Sequence, residues 1–323
     1  MLFTVTALPV GNAFVSIYES GSKDATGAWL QLFRALLTVL EVPHQLVAGG
    51  AARPDGKDRI HHLAHMRNLA TEKMRQGANG ELPRWHADRL VFINDVYFCA
   101  RDALRLLHHV SADLACSMDF LQWKDAPSTV DVYPYGPDGP PLSVVADPEK
   151  LQFYDVWVAR DAEGKPLSNT APYVNHGYSL ERLRRGLPFL VSCCWNGMLS
   201  INAEPFRLGY EFRAGREGEC RESETSVMCK DFLRMGYSNF IVDPAVRLAY
   251  HPGEARQLYT SKVDVPVAPW AAAALEVDFE FAPRKFHMTC CDKADDGSDD
   301  VDFFKCRPLP EVFSRAPPVA SAA

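Results

Sequence analysis

The first feature of this sequence that points to chemistry is a carboxylate at the end of an apolar run. Residues 90–93 are apolar and of strand-forming types, and Asn94 and Asp95 follow them directly. This pattern predicts a buried strand that ends in an acid. A carboxylate there is costly unless it is paired or binds a cation. We interpret Asp95 either as a ligand for a divalent metal beneath a nucleotide diphosphate, with Asn94 beside it in the substrate site, or as a cap of the next helix.

A second polar group follows the strand predicted over residues 188–194. Trp195, Asn196 and Gly197 come next, before another apolar run. An aromatic ring beside an amide suits a sugar, because the ring face stacks while the hydroxyls form hydrogen bonds. Glycine also permits a close approach of the backbone. The three residues are therefore candidates for sugar or acceptor binding, although a hairpin turn explains the Asn-Gly pair equally well.

Helical spacing places a charge on an apolar face within residues 60–75. Arg67 falls on the apolar stripe of this predicted helix, and Asn68 lies next to it. A charge on a face that packs into the core needs a partner. The diphosphate of a substrate is one candidate, because guanidinium groups bind phosphate oxygens in a bidentate manner. A buried carboxylate is the other.

Further charged residues stand at the ends of predicted elements. Glu224 opens a helix, where it either stabilises the N-terminus or faces a pocket. Arg160 and Asp161 end a predicted strand. Glu224 or Asp161 could orient an acceptor or stabilise positive charge on a sugar, and Arg160 could stabilise a departing diphosphate. His251 follows another strand and is a candidate metal ligand, although an isolated histidine is more often simply exposed.

The elements around these residues predict an α/β fold. A strand over residues 14–18, an amphipathic helix over 26–40 and a second short strand give the order β-α-β. This order argues for a mostly parallel central sheet with helices on both faces. The turn after the first strand contains Glu19, Ser20 and Ser22. It would hold the nucleoside of a substrate, or it is simply the loop that begins the helix.

Composition disfavours several classes of protein. The 34 basic residues are scattered and are outnumbered by 41 acidic residues, so no nucleic-acid partner is expected. The chain contains no apolar window long enough to span a membrane and no visible secretory signal. The nine cysteines form no Cys-x-x-Cys pair. A zinc framework is therefore not expected, and one or two disulfides remain open.

The length suits one large domain or two modest ones. We expect the folded part of the chain to extend over residues 1–314. Residues 122–152 are rich in Pro, Asp and Gly, which predicts a long loop inserted over a site. Residues 315–323 are rich in Pro and Ala and are expected to form a disordered tail.

Taken together, these motifs resemble the fungal capsule-type α-1,3-mannosyltransferases of glycosyltransferase family 69, the cryptococcal mannosyltransferase family. The resemblance covers about residues 14–252, and its motifs fall in the expected order. They are SIYESGSKDAT (16–26), RI…LA…RN (59–68), FINDV (92–96), CSMDF (116–120), WVARD (157–161), CWNGM (194–198), SE (223–224) and CKD (229–231).

The resemblance implies a GT-A-like fold with a single catalytic domain. It also implies a GDP-mannose donor, an oligosaccharide or polysaccharide acceptor, and Mn²⁺ or Mg²⁺ as cofactor. The product would be an α-1,3 linkage formed with retention of configuration. The enzyme would be a type II membrane protein of the Golgi lumen.

The sequence departs from the family pattern in two places. GT-A-like folds carry an Asp-x-Asp metal motif after a central strand, whereas here Ile93 stands at the first position and Asp95 at the second. We therefore expect a further metal ligand, with His251 as the first candidate. We also expect that the family's first strand and its membrane anchor are not part of this chain. Two other classes stay open: a metal-dependent glycan or phosphate hydrolase, and a non-catalytic carbohydrate- or nucleotide-binding relative.

Overall fold

The structure is a computed structural model of the 323-residue chain. It describes residues 11–50, 52–54, 56–75, 86–122, 130–132, 142–144, 151–217, 219–220, 222–260, 277, 279, 285–286, 289–293, 301–308 and 313–314. The chain divides into two compact units. The first unit comprises Met1–Leu90, Asn202–Asp231 and Cys290–Cys306, and the second comprises Val91–Ile201, Phe232–Thr289 and Arg307–Ala323.

Helices and strands alternate over the first part of the chain, and short strands follow at its end. The helices are α1 (Thr26–Val39), α2 (Arg59–Thr71), α3 (Ala100–His108), α4 (Gly177–Arg184), α5 (Glu204–Arg207), α6 (Glu224–Arg234) and α7 (Pro252–Thr260), with a 3₁₀ turn at Glu72–Met74. The strands are β1 (Val15–Tyr18), β2 (His44–Val47), β3 (Arg89–Ile93), β4 (Leu114–Leu121), β5 (Val130–Val132), β6 (Leu142–Val144), β7 (Gln152–Phe153), β8 (Arg160–Asp161), β9 (Phe189–Cys193), β10 (Met198–Asn202), β11 (Phe240–Ala249), β12 (Lys285–Phe286), β13 (Thr289–Lys293), β14 (Val301–Pro308) and β15 (Phe313–Ser314).

The first unit contains the predicted β-α-β start of the chain. β1 and β2 pair in parallel and form a two-stranded sheet of their own. Val15, Leu46 and the α1 residue Leu37 form a small apolar core, because α1 lays one face on this sheet. The β-α-β order is therefore confirmed, but these strands do not extend the large sheet.

A seven-stranded sheet in the order β3-β10-β4-β11-β9-β8, with β7 paired to β4, carries the core of the second unit. β4 and β11 are parallel, whereas β10 and β7 run antiparallel to β4, and β9 runs antiparallel to both β11 and β8. The prediction of a mostly parallel sheet is therefore wrong. The α/β class is confirmed, and the GT-A-like topology remains a prediction.

The departure from a parallel sheet has a local cause. A parallel neighbour needs a crossover connection, usually a helix, whereas the chain returns to β4 through β7 in the opposite direction, with Phe153 paired to Phe120. β10 likewise enters beside β4 antiparallel, with Leu199 paired to Cys116. Neither arrangement leaves a signal in the apolar pattern of the strands.

A disulfide and a buried ion network tie the centre of this sheet together. Cys116 on β4 is bonded to Cys194, with a Cα–Cα distance of 6.2 Å. Asp243, at an irregularity in β11, accepts hydrogen bonds from Arg105 Nε at 2.7 Å and His109 Nε2 at 2.8 Å. Burial alone would raise the pKa of Asp243, but these two partners hold it below its ordinary value.

Two sequence predictions concern residues that are largely outside the described part of the chain. The predicted tail, 315–323, lies outside it entirely. Of the predicted loop insertion, 122–152, the structure describes Gln122, the paired strands β5 and β6, and residues 151–152. In the part of the chain that is described, no helix combines the length and apolar composition needed to cross a bilayer.

We predict that Asp243→Asn destabilises the protein by about 3–5 kcal/mol, because it leaves Arg105 buried without its full counter-charge. Because the pKa of Asp243 is lowered by folding, its contribution is present above the unfolded pKa and is lost as the pH falls below about 4. Urea unfolding at several pH values measures both effects. Glu181→Gln, an exposed change on α4, serves as control. A loss below about 1 kcal/mol at neutral pH would show that the network does not stabilise the fold.

Candidate functional site

Asp95 lies just beyond the carboxyl end of β3 and is exposed. It does not cap the next helix. The N-cap of α3 is Cys99, whose backbone N–H donates to Asp102 Oδ2 at 2.6 Å. The alternative reading of Asp95 as a helix cap is therefore wrong, and its role as a metal ligand stays a prediction.

The segment that contains Asp95 runs beside the end of β11. Tyr97 forms an antiparallel bridge with Ala249, and its N–H donates to the Ala249 carbonyl at 2.8 Å. Asp95 precedes Tyr97 by two residues, and the exposed His251 follows Ala249 by two residues. The two predicted metal ligands therefore flank the same bridge in the chain, and their binding of one metal ion stays a prediction.

Gly197 packs the ends of neighbouring strands against one another. Its carbonyl accepts the Asn94 N–H at 2.9 Å, and its φ is 78°. A Cβ at this position would lie 3.0 Å from Val96 Cγ1 and 3.5 Å from Asp119 Cβ. Both the left-handed backbone and the crowding favour glycine. The hairpin alternative is wrong, because β4 and β11 separate β9 from β10 in the sheet.

Asn196 joins three segments of the second unit. Its side-chain Nδ2 donates to the Ser117 carbonyl at 2.8 Å, and its backbone N–H donates to Asp155 Oδ2 at 2.9 Å. Its φ is 52°, in the left-handed region that asparagine tolerates better than most residues. Asn196 is fully buried. Its backbone N–H orients the carboxylate of Asp155, and its side-chain amide holds the turn against β4.

Trp195 is also buried, with only 3% of its surface exposed. Its ring packs on Phe92 at a centroid distance of 4.8 Å, and its Nε1 donates to Asn94 Oδ1 at 3.4 Å. In this position Trp195 orients Asn94 and presents little open ring face for a sugar. The predicted sugar contact of Trp195 stays a prediction.

A carboxyl pair, Asp119 and the half-buried Asp155, lies beside this turn. Asp119, near the end of β4, is fully buried. Its Oδ1 accepts the backbone N–H of Asp155 at 3.2 Å, and its Oδ2 accepts the Tyr250 hydroxyl at 2.8 Å. Burial and the negative charge of Asp155 raise the pKa of Asp119 to about 8. Without a nearby cation, the pair therefore does not carry two full negative charges at neutral pH.

Tyr250 completes this group. Burial, together with the charges of Asp119 and Asp155, raises the pKa of Tyr250. Its hydroxyl therefore keeps its proton and acts as a donor to Asp119. Gly197 lies between this group and the Asp95 segment, because a Cβ built on it would meet both Val96 and Asp119.

Sequence reasoning did not select Asp119, Asp155 or Tyr250 as site residues. One signal was present, because Asp119 is a second acid at the end of an apolar run and belongs to the CSMDF motif. Asp155 and Tyr250 gave no comparable signal. They become partners of Asp119 only through the antiparallel return of β7 and the position of β11 beside β4.

The carboxyl pair fits a divalent cation that is shared with a substrate. Among the described residues, no group of three or more His, Cys, Asp or Glu side chains is arranged to hold a metal ion. Mg²⁺ at a diphosphate usually takes one or two carboxylates and completes its shell with phosphate oxygens and water, and Mn²⁺ favours the same ligand types. Asp119 and Asp155 meet that requirement, since a cation would offset the repulsion that raises the pKa of Asp119.

Arg160 and Asp161 form β8, the edge strand at the end of the sheet opposite β3. Arg160 Nη1 donates to the carbonyls of Val156 and Ala159, and Asp161 Oδ1 accepts the N–H groups of residues 163 and 165. Burial raises the pKa of Asp161. These contacts hold a tight local turn. Arg160 and Asp161 therefore lie on the outer strand of the sheet opposite β3, the strand that Asp95 follows. Their catalytic roles stay predictions.

In the first unit, Arg67 and Glu224 form an ion pair. Glu224, at the start of α6, is fully buried, and Arg67 is largely buried on α2. The guanidinium also lies 6.0 Å from the centre of the Phe212 ring. The buried-carboxylate alternative for Arg67 is therefore confirmed. Its contact with a diphosphate, and the catalytic role of Glu224, stay predictions.

Other predicted binding residues of the first unit have local structural partners. Asn68 donates to the Phe212 carbonyl and accepts the Phe212 N–H, both at 2.8 Å. The Glu19 carboxylate accepts the N–H groups of Ser22 and Gly49, and these bonds lower the pKa of Glu19. They hold the turn that contains Ser20 against the end of β2. Nucleoside binding by this turn stays a prediction.

Comparison with known proteins identifies a family. Residues 1–231 match the family model described as cryptococcal mannosyltransferase 1. The chain is also similar to alpha-1,3-mannosyltransferase CMT1 of Cryptococcus neoformans var. neoformans serotype D, with 29% identity over an alignment of 268 residues that covers 76% of this chain and 52% of that protein. The chain thus spans about half the length of this curated relative. Asp95, Asp119, Asp155 and Asn196 all lie inside the region that matches the family. This chain therefore belongs to the cryptococcal mannosyltransferase 1 family.

Proposed function

We propose that this chain transfers mannose from GDP-mannose to a hydroxyl group of an oligosaccharide or polysaccharide, forming an α-1,3 linkage with retention of configuration. Membership of the mannosyltransferase family and the printed name of the relative support the reaction class. The observation that carries the proposal is the carboxyl pair formed by the fully buried Asp119 and the half-buried Asp155 at the carboxyl ends of β3, β4 and β11. Both acids lie within the region that matches the family model.

The chemistry sets what the site must do. The bond between C1 of mannose and the diphosphate oxygen breaks, and a bond between C1 and the acceptor oxygen forms. The proton of the acceptor hydroxyl ends on the departing diphosphate. Because donor and product are both α-linked, the acceptor attacks from the face that the diphosphate leaves. Positive charge develops on the sugar and negative charge on the leaving group, so preorganised groups of both signs lower the barrier.

Asp119, Asp155 and Asn94 would share these tasks. Asp155 is held by the Asn196 N–H, and Asp119 by the Tyr250 hydroxyl, so both carboxyl groups are fixed before substrate binds. Asn94, whose Oδ1 accepts the Trp195 indole N–H, directs its amide donors to an oxygen of the donor substrate. Fixed groups of this kind need no reorganisation during the reaction.

A bound Mn²⁺ or Mg²⁺ would supply Lewis-acid stabilisation of the departing diphosphate. Asp119 and Asp155 would hold it, and Asp95 and His251, which flank the bridge between Tyr97 and Ala249 in the chain, remain candidates for a further contact. The metal would then lie at the carboxyl ends of the strands, as proposed from the sequence. Its main ligands would be Asp119 on β4 and Asp155 after β7.

We further propose a Golgi-lumen enzyme of type II membrane topology, in line with the family. The bond between Cys116 and Cys194 supports an oxidising compartment, because disulfides persist in the secretory pathway and are rare in the cytosol. Cys193, Cys220 and Cys229 are disulfide-bonded as well.

A metal-dependent glycan hydrolase is the second candidate, and a specific observation favours it. Glycosidases use two carboxyl groups, one of them protonated near neutral pH as the general acid. Asp119, with its pKa of about 8 and Asp155 as neighbour, resembles such a pair. Against this candidate, the matched family model and the printed name of the relative both describe a mannosyltransferase.

A donor screen with and without acceptor tests the proposed reaction. We expect GDP-mannose with Mn²⁺ to give a mannosylated product on an α-mannoside acceptor. Release of GDP should rise with acceptor concentration, because the acceptor hydroxyl is the attacking group. Product formation is measured by mass spectrometry, and UDP-glucose and GDP-fucose serve as donor controls. Hydrolysis that is unaffected by acceptor would support the hydrolase instead.

Substitution of the carboxyl groups tests the assignment of the site. We expect Asp119→Asn and Asp155→Asn each to lower transfer by at least about 100-fold, and to weaken Mn²⁺ binding measured by electron paramagnetic resonance in the presence of GDP. Asp95→Asn should have a smaller effect, because Asp95 is exposed, whereas Asp119 is fully buried and held by hydrogen bonds at both oxygens.

Glu181→Gln is the matched control for these substitutions, because Glu181 is an exposed acid on α4. Circular dichroism and thermal unfolding show whether each variant is folded. If folded Asp119→Asn and Asp155→Asn variants keep more than half of the wild-type rate, the assignment is wrong. If Asp95→Asn alone abolishes metal binding, the ligand set first expected from the sequence is the correct one.

A further inference from the structure

Two buried side-chain oxygens near the carboxyl end of β4 have no hydrogen-bond donor among the residues that the structure describes. They are Oε2 of Glu254 and Oε1 of Gln152. Each of these two residues is only 5% exposed. A buried acceptor without a donor has lost its hydration and gained nothing in return, and native proteins seldom leave one in this state. The two oxygens therefore point to a ligand that brings hydrogen-bond donors.

Glu254 reaches the end of β4 from the side of β11. It is the third residue of α7, the helix that follows β11. Its Oε1 accepts the backbone N–H of Gln122, the residue after β4, at 2.9 Å. The helix dipole favours an acid in the first turn of α7, but that interaction supplies no hydrogen-bond donor to a buried oxygen. One oxygen of this carboxylate thus holds the end of β4, and the other has no structural task among the described residues.

Gln152 reaches the same strand end from the side of β7. It pairs with Leu121 in the antiparallel register, and the N–H of Tyr154 donates to the Asp119 carbonyl at 3.0 Å. Residues two apart on a strand share one face of the sheet, and so do residues that lie opposite each other. Gln152 and Asp119 are therefore diagonal neighbours on one face, a relation in which residues lie about 7–8 Å apart.

The chemistry of the two oxygens selects a ligand that is rich in hydroxyl groups. A carboxylate oxygen and an amide oxygen only accept hydrogen bonds, and a sugar hydroxyl can donate one to each. A diphosphate carries acceptors and negative charge, so it does not suit Glu254. The sugar of the proposed donor is bonded through C1 to the diphosphate, whereas the guanine is separated from the sugar by both phosphates and the ribose. With the cation on Asp119 and Asp155, the sugar is the hydroxyl-rich group next to the diphosphate.

We propose that Glu254 and Gln152 accept hydrogen bonds from hydroxyl groups of the mannose in GDP-mannose, and so select the sugar that is transferred. This inference rests on the proposed mannosyl transfer and names the residues that determine its donor specificity. Buried acceptors make the selection strong, because a sugar without the matching hydroxyl leaves a buried oxygen unpaired.

Glu254→Gln tests the proposal at a single atom. The variant keeps an oxygen for the N–H of Gln122 and replaces Oε2 with an NH₂ group, which donates instead of accepting. We expect the Kd for GDP-mannose, measured by calorimetry with Mn²⁺ and without acceptor, to rise by about 10- to 100-fold. This is the effect of losing one hydrogen bond to a charged group. The Kd for GDP should change less than about twofold.

Gln152→Met tests the second oxygen with a side chain of similar length. We expect a smaller rise in the Kd for GDP-mannose, about 3- to 10-fold, because the lost acceptor is neutral. Glu181→Gln is the matched control, since it makes the same exchange as Glu254→Gln at an exposed position on α4. It should leave both Kd values unchanged, and thermal unfolding shows that each variant is folded.

Deoxy analogues of the donor distinguish a direct contact from a structural role. Each analogue replaces one hydroxyl of the mannose in GDP-mannose with hydrogen. The wild-type protein should bind one analogue at least about tenfold more weakly than GDP-mannose, and Glu254→Gln should bind that analogue and GDP-mannose nearly equally. A variant that weakens GDP-mannose and every analogue by the same factor would show that Glu254 only supports the fold, and would overturn the proposal.

The remaining outcomes separate this proposal from its rivals and from the reaction itself. A rise in the Kd for GDP would assign Glu254 to the N–H groups of the guanine, and would overturn its assignment to the sugar. If transfer to an acceptor fails while GDP-mannose binding follows the expected pattern, the proposed reaction is wrong and the sugar contacts stand. If transfer proceeds while Glu254→Gln and Gln152→Met bind GDP-mannose as wild type does, the sugar contacts are wrong.

Discussion

The interaction on which the rest of the site depends is the burial of Asp119 beside Asp155. Two carboxyl groups in a low-dielectric setting repel each other, and this raises the pKa of Asp119 to about 8. Such a pair is retained only when other groups stabilise it. The Tyr250 hydroxyl does so for Asp119, and the backbone N–H of Asn196 does so for Asp155. The same repulsion is what a divalent cation would relieve.

The turn at residues 195–197 packs against that pair of carboxyl groups. Asn196 adopts a left-handed backbone and donates to both Ser117 and Asp155. A Cβ on Gly197 would crowd Val96 Cγ1 at 3.0 Å, and the backbone of Gly197 is left-handed. The disulfide from Cys194 to Cys116 fixes the approach of the turn to β4. Backbone geometry, packing and charge therefore all constrain the same few residues.

Local sequence patterns identified β3, α3 and β9, because each has a clear apolar run or helical spacing and nearby polar ends. They also marked Asn94, Asp95 and the Trp-Asn-Gly turn as candidate site residues, and the structure joins two of these segments through the Asn94 N–H, which donates to the Gly197 carbonyl. The same patterns failed for Asp155 and Tyr250, since only the antiparallel return of β7 and the pairing of β11 with β4 bring these residues to Asp119. The apolar stripe around Arg67 correctly predicted a charge that needs a partner. It did not show whether that partner is a substrate phosphate or Glu224, which lies 157 residues later in the chain.

The central claim is that Asp119 and Asp155 hold the divalent cation that the donor diphosphate shares. Anomalous diffraction from crystals grown with Mn²⁺ and GDP tests it most directly, because manganese gives a peak that locates the ion independently of activity. The account predicts a peak within direct coordination distance, about 2.0–2.3 Å, of oxygens from both carboxyl groups. A manganese peak coordinated by Asp95 and His251 without either of these acids, or GDP bound with no ion at the pair, would contradict it.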